Sequence, residues 1–404
     1  MADPRTSPVE TSATSANAIR PRRAATGALT TTIACSVPVF LVGGLAVQIS
    51  QELGFSPAGL GLAVSAYFGA SALASVPAGA LVERYGSTKI TRIAIGLSAL
   101  SLLTIAVAAR SLWSLIAILS LGAAANAMGQ LASNTSLSRH IPVRRQGLAF
   151  GVKQAAIPVG SLLAGAAVPA VALTMGWRWA FVFAAIGAAA ALFVVPAEGH
   201  EQRRKATNGG DRATAALVVI GVGAALAAGS ANALGTFLVD SAVARGTTPG
   251  AAGLALTLGS AVGVAARIVG GWLADRLPER QIAVIAGMLT VGAGGLAMLS
   301  LVSTATLIAG VVLGFGLGWA WPGLMNFAVV RLHPQAPAAA TSITQTGVYA
   351  GGCIGPLSLG AVAATAGYPT MWTVAGIAML WAAAAMVLGS RMLQRHANRT
   401  VATA

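Results

Sequence analysis

The chain has 404 residues, 56% of them hydrophobic and only 9% charged, with a net charge of +15. Soluble domains carry about 25% charged residues, so an ordinary soluble enzyme and a disordered protein are both excluded. Nucleic acid is no partner for the positive charge, because the basic residues lie scattered between apolar runs and build no face.

A mean hydropathy of +0.78 points to a chain that crosses a bilayer many times. A spanning helix needs ~20 apolar residues, so twelve need about 240. Residues 1–25 are polar, carry Arg5, Arg20, Arg22 and Arg23, and show no short apolar stretch with a cleavage site. They are expected to form a cytoplasmic tail. Apolar runs follow at roughly 26–49, 58–82, 90–109, 112–137, 146–174 and 178–196, giving a first six-helix half over 26–197. A polar stretch, 198–212, reads as a central cytoplasmic loop. Six more runs fall at roughly 213–241, 249–274, 281–302, 304–330, 336–365 and 369–390, giving a second half over 213–390 and a tail over 391–404. The runs exceed the ~10 residues of a barrel strand, so the expected fold is all-α.

Charge distribution orients this bundle. Cytoplasmic loops of membrane proteins carry an excess of Lys and Arg. With the N-terminus in the cytoplasm, twenty basic residues fall on that side and three (Arg110, Arg178, Arg245) on the other. An even number of spans in an inner, plasma-membrane setting follows, with both termini cytoplasmic. Cys35 and Cys353 each sit in an apolar run and imply no disulfide framework. The alanine-rich, lysine-poor composition fits a bacterial source.

The two halves repeat. At an offset of 192, Gly79 meets Gly271, Glu83 meets Asp275, Arg84 meets Arg276, Asn134 meets Asn326 and Pro142 meets Pro334. At an offset of 191, Gln154 meets Gln345 and Gly176 meets Gly367. Two parallel six-helix halves are therefore expected. Ser56-Pro57 and Thr248-Pro249, also in register, read as helix starts. The hydroxyl caps the first turn, and proline fills a position that needs no amide donor.

The stretch Gly79-Ala80-Leu81-Val82-Glu83-Arg84-Tyr85-Gly86-Ser87-Thr88-Lys89 resembles the signature loop of the major facilitator superfamily, G-x-L-a-D-r-x-G-r-k. It departs from that pattern at Glu83, where Asp is usual, and at Ser87-Thr88. The second copy, Gly271-Trp272-Leu273-Ala274-Asp275-Arg276, keeps the acid and the arginine and ends in Leu277-Pro278. The resemblance covers about residues 26–390. It implies a monomer of twelve spans that binds a small solute between its halves and exposes it alternately to either side. It also implies that Gly79, Glu83, Arg84 and Gly86, with Gly271, Asp275 and Arg276, form a latch that opens and closes one end.

Ionisable groups inside a span are costly and mark function by default. Lys153 lies about ten residues into span 5, beside Gln154. Arg267 lies eight residues before Asp275, ~12 Å along span 8 by helical rise. Its position resembles that of a substrate-binding Arg in the monocarboxylate and oxalate porters, and the run 151–158 resembles the cyanate-permease-like branch. Two cations without an evident carboxylate suit a small organic or inorganic anion, since Arg holds a carboxylate bidentately and Lys offers a point charge. The plainer reading has Lys153 reaching for the interface and Arg267 bound to loop acids or backbone carbonyls. Asn134, Asn326, Gln345 and Tyr349 are expected to complete the site. Asn126, Gln130, Asn232 and Thr344 are further polar candidates, and Tyr67, Trp319 and Trp321 are candidate aromatic walls.

Coupling is left open between a proton and a counter-anion. Asp240, near the outer end of span 7, is the carboxylate candidate, and a titration shared by Lys153 and substrate is the alternative. No phosphate loop, metal-ligand spacing or nucleophile motif is present, so no cofactor, ATP-driven cycle or enzyme activity is expected. Span 5 lacks the Gly-Pro pair of the superfamily's drug-antiporter motif. Export of a hydrophobic drug or metabolite is the second transport reading.

Overall fold

The computed structural model describes residues 21–55, 57–195, 213–276 and 281–402, and every element among them is helical. The first span is α1 (Pro21–Gly44), which starts inside the stretch expected to be a polar tail. It ends at Gly43-Gly44, and a separate short helix, α2 (Ala46–Leu53), follows within the run expected to continue to 49. Then come α3 (Pro57–Tyr85), α4 (Ser87–Ala108), α5 (Leu112–His140) and α6 (Gln146–Ala167). α6 passes through a π-helical turn, Val168–Ala172, into α7 (Leu173–Met175). α8 (Trp177–Ala191) closes the first half.

The second half repeats this with α9 (Thr214–Ala244), α10 (Pro249–Ala274) and α11 (Gln281–Met298). Its fourth span is broken into α12 (Thr304–Leu313), a π-helical turn Gly314–Gly318 and α13 (Pro322–Leu332). Glycines at 314, 316 and 318, followed by Pro322, explain the break. Glycine weakens a helix, and proline removes an amide donor. α14 (Pro337–Ala402) holds the last two spans and runs beyond the expected boundary at 390.

Ten helical stretches among the described residues are long and apolar enough to cross a bilayer. The longest, Pro337–His396, supplies two crossings, because Gly367 breaks it with φ 80°. The shorter apolar helix α8 supplies the last, so twelve crossings result. Gly176 makes the equivalent break before α8 with φ 96°. The repeat that pairs these two glycines thus has a backbone cause, since only glycine adopts such a φ freely. Thr248 caps α10, its side chain accepting from the Ala251 amide at 3.4 Å. Its counterpart Ser56, the tail arginines Arg5 and Arg20, the loop 198–212 and the Leu277-Pro278 turn lie outside the described residues.

Buried side chains form two cores, one drawn almost wholly from residues 34–195 and one mostly from residues 217–386. The exceptions mark the seam. Ala338 and Tyr349 belong to the first core, and Ala24, Ala28, Leu137, Ile141 and Phe150 to the second. Across the seam α3 packs on α14, and α6 packs on α10 and α13. Leu73, Trp113, Leu121, Leu254 and Trp381 stand exposed on the outside. In a bundle of this hydropathy that surface faces lipid.

Candidate functional site

Lys153 is 1% exposed and does not reach an interface. Its Nζ donates to the Gln130 side-chain oxygen at 2.7 Å, to Asn134 Oδ1 at 2.5 Å and to the Gln130 carbonyl at 3.3 Å. Gln130 and Asn134 are four residues apart on α5 and so share one face. An ammonium has three donors, and this cage of amide oxygens satisfies all of them. Cys35, on α1, lies within electrostatic reach of the same ammonium.

Arg267 is 4% exposed and faces the break in span 10. Its guanidinium donates to the Trp319 carbonyl at 2.8 Å and lies 5.8 Å from the Trp319 ring. Trp319 follows the π-helical turn with φ −121° and ψ 0°, where the helical ladder is interrupted. That interruption frees a carbonyl for a side chain to take. No carboxylate among the described residues pairs with Lys153 or Arg267; the ion pairs found join Glu83 to Arg139 and Glu52 to Arg178. The structure bonds Lys153 to Asn134 within the first half, and Arg267, in the second half, bonds Trp319.

A second polar group bridges the seam. Asn126 Nδ2 donates to the Tyr349 hydroxyl at 3.1 Å, and Gln345 hydrogen-bonds the same hydroxyl. The Tyr349 ring stacks on Phe68 with centroids 6.3 Å apart, and Phe68 meets Tyr67 edge-on at 5.5 Å. Tyr67 in turn donates to the Cys35 carbonyl at 3.1 Å. Gln154 and Asn326 are buried, and Asn326 has no partner for either side-chain atom. Asn232 and Thr344 spend their donors on carbonyls of their own helices. Asp240 is exposed on α9, within electrostatic reach of Tyr368.

At one end of the bundle the two halves are stitched symmetrically. Asp275 accepts from the Gly147 and Leu148 amides, at 2.6 and 3.0 Å, at the start of α6. Glu83 accepts from the Ala338 amide at 2.9 Å, at the start of the span-11 part of α14, and lies 3.7 Å from Arg139. Each carboxylate sits where unpaired amides and the helix dipole favour negative charge. Glycine makes the approach feasible. A methyl on Gly79 would meet Ser342 Cβ at 2.9 Å, and one on Gly271 would fall on the Gly147 carbonyl. Gly86 starts α4 with φ 87°, while Arg84 and Arg276 lie over the rings of Tyr85 and Trp272 at 5.3 and 3.5 Å.

Sequence reasoning missed the other end. Glu52 accepts from the Trp177 indole at 2.6 Å and pairs with Arg178 at 3.0 Å, and Arg178 also donates to the Ala109 carbonyl at 2.8 Å. The available signal was that Arg178 and Glu52 are rare charges in otherwise apolar outer segments. Phe68 carried no signal, because a phenylalanine in an apolar run looks like any other.

Residues 27–220 and 220–402 each match the family profile described as Major Facilitator Superfamily. The chain belongs to this superfamily. It is a multi-pass membrane transporter with the superfamily's fold. Among curated proteins it is 27% identical, over 155 residues, to "Probable anion transporter 3, chloroplastic" of Arabidopsis thaliana. That match takes in 38% of this chain and 30% of the relative. Among solved structures it resembles the human organic anion transporter MFSD10 (TETRAN), with TM-score 0.71 and 17% identity over 92% of this chain and 99% of that one. It also resembles the superfamily proton:xylose symporter XylE, with TM-score 0.72 and 14% identity over 90% and 93% of the two chains. FucP in its outward conformation gives TM-score 0.69 and 17% identity over 92% and 98%.

Proposed function

We propose that this transporter moves a small anion across a bacterial inner membrane by alternating access, with Lys153 and Arg267 supplying the attraction. The observation that carries the reading is two fully buried cations with no carboxylate partner among the described residues. Burying an uncompensated charge costs several kcal/mol. An anionic ligand offsets that cost, and amide oxygens alone do so only in part. The names borne by the Arabidopsis relative and the human structural neighbour agree with an anion. Gln154, Asn134, Asn326, Gln345 and Tyr349 complete the site in this reading.

The halves 26–197 and 213–390 rock about the seam, and both termini lie in the cytoplasm, as the twenty-to-three split of basic residues supports. The Glu83 and Asp275 end is then cytoplasmic. The structure, stitched at that end, is the state closed to the cytoplasm. Gly79, Arg84, Gly86, Gly271 and Arg276 support the two acids in holding it. Asp240, exposed on α9 within electrostatic reach of Tyr368, is the carboxylate candidate for proton coupling in this reading.

The test is thermal unfolding of the detergent-purified protein against acetate, oxalate, succinate, phosphate, sulfate and tetraphenylphosphonium, alongside Lys153→Met and Arg267→Gln. A ligand at 100 times its dissociation constant adds ~2.7 kcal/mol, which moves a melting point by several degrees. Anions are expected to stabilise the parent and not the variants. Stabilisation by tetraphenylphosphonium alone, equal in parent and variants, overturns the reading in favour of export of hydrophobic compounds.

A further inference from the structure

The polar centre holds more than charge. Among the described residues, buried atoms without any hydrogen-bond partner include four donors: Asn134 Nδ2, Asn326 Nδ2, Arg267 Nε and Trp321 Nε1. They also include three acceptors: Asn126 Oδ1, Gln154 Oε1 and Asn326 Oδ1. All six side chains are less than a tenth exposed. Native structures leave few such atoms unpaired, and each unpaired buried group costs about 1–3 kcal/mol.

Four of these side chains, Asn134, Gln154, Arg267 and Asn326, belong to helices that meet along α6. Asn134 already gives its oxygen to Lys153, which leaves its amide protons over. Gln154 follows Lys153 on α6. Two residues before Lys153, Gly151 is where the halves cross. A methyl there would fall on the Arg267 carbonyl, and a methyl on Gly323 of α13 would meet the Phe150 carbonyl at 3.2 Å and Gly151 Cα at 3.4 Å. Phe327 meets Phe150 with centroids 6.2 Å apart. Positions 323, 326 and 327 share a helical face, so Asn326 lies on the side of α13 that packs on α6. Asn126 lies two turns along α5 from Asn134 and bonds Tyr349 instead.

The mixture of donors and acceptors narrows the ligand. A fully deprotonated oxyanion such as sulfate, or an unsubstituted carboxylate, brings acceptors only. It answers the cations and the spare N–H groups and leaves the three amide oxygens unpaired. A hydroxyl both donates and accepts. We infer that the substrate is a hydroxycarboxylate, its carboxylate drawn to Lys153 and Arg267 and its hydroxyl donating to an amide oxygen of Gln154 or Asn326. This rests on the anion reading above and specifies it. A site built to bond a substrate hydroxyl discriminates strongly against the analogue that lacks it, because its own groups are then left unpaired.

The experiment compares matched pairs by thermal unfolding titration: glycolate with acetate, lactate with propionate, malate with succinate. The hydroxylated member of at least one pair is expected to bind tenfold or more tightly. Gln154→Met and Asn326→Leu, measured separately, are expected to bring the ratio for that pair toward one. The affinity for the hydroxylated member should fall at least about threefold further than that for the unsubstituted one. A defect in folding alone lowers both affinities together and leaves the ratio unchanged. Equal binding within every pair overturns the hydroxycarboxylate and leaves the anion reading standing. Failure of all six carboxylates while phosphate or sulfate still stabilises overturns the hydroxycarboxylate in favour of an inorganic anion, and failure of those anions as well overturns both. A preference that survives in both variants overturns the assignment of the amides.

Discussion

At the scale of single residues, Lys153 is the group whose energetics are best defined. Its three donors all end on oxygens of Gln130 and Asn134. Replacing it with Met strands two buried amide oxygens, at about 1–3 kcal/mol each. Removing Asn134 from the Lys153→Met protein then costs less than removing it from the parent. A double-mutant cycle of Lys153→Met with Asn134→Leu, read from unfolding in mixed micelles, is expected to give a coupling of about 1–3 kcal/mol. Strict additivity means the bond contributes nothing. Lys153 and Arg267 were legible in the sequence, because a charge in an apolar run stands out against its neighbours. Their partners were not. The cage of Lys153 comes from another span, and Arg267 bonds a backbone carbonyl that exists only because span 10 is broken at Gly314–Gly318.

At the scale of elements, small residues decide how closely helices pack, since lipid supplies no hydrophobic drive between them. Gly347, Gly351 and Gly355 on α14 face Gly221, Ala225 and Gly229 on α9, both rows repeating every four residues. A methyl on Gly351 would fall on the Ala225 carbonyl. Gly351→Ala should therefore destabilise the second half by about 1–3 kcal/mol, the usual range for forcing extra volume into a packed interface. Gly187→Ala is the control. Nothing lies within 4 Å of its added carbon, and it should be neutral or stabilise slightly. A melting point unchanged in Gly351→Ala sinks the idea that this ladder sets the α9–α14 distance. The four-residue spacing is plain in the sequence, but a spacing does not name its partner helix. The breaks at Gly176 and Gly367 were legible, because the repeat pairs them. The π-helical turns were not, since their glycines resemble any others in a chain with 49 of them.

At the scale of the whole molecule, twelve crossings and two halves were legible from run lengths and a constant offset. Which end the structure closes was not, because one sequence must encode both states, with free energies only a few kcal/mol apart. The stitched end allows that difference to be tested. Asp275 accepts from two α6 amides, and charge-assisted bonds of this kind are worth about 1.5–3 kcal/mol each in full. Part of that returns when water replaces the amides in the open state. Glu83 accepts from one amide, and its pair with Arg139 is partly exposed and 3.7 Å long, a geometry that contributes little. Asp275→Asn should therefore raise the population open at this end more than Glu83→Gln does: about tenfold against threefold, where 1.4 kcal/mol is a factor of ten. Distances between spin labels at the exposed positions Arg144 and Gln335, in a background without Cys35 and Cys353, report that population directly. A larger opening from Glu83→Gln would mean that Arg139 carries the stitch and that the two halves are not held in equivalent ways. No opening from either variant would assign the closure to the glycine crossings at Gly147 and Gly271, where backbone meets backbone without any charge.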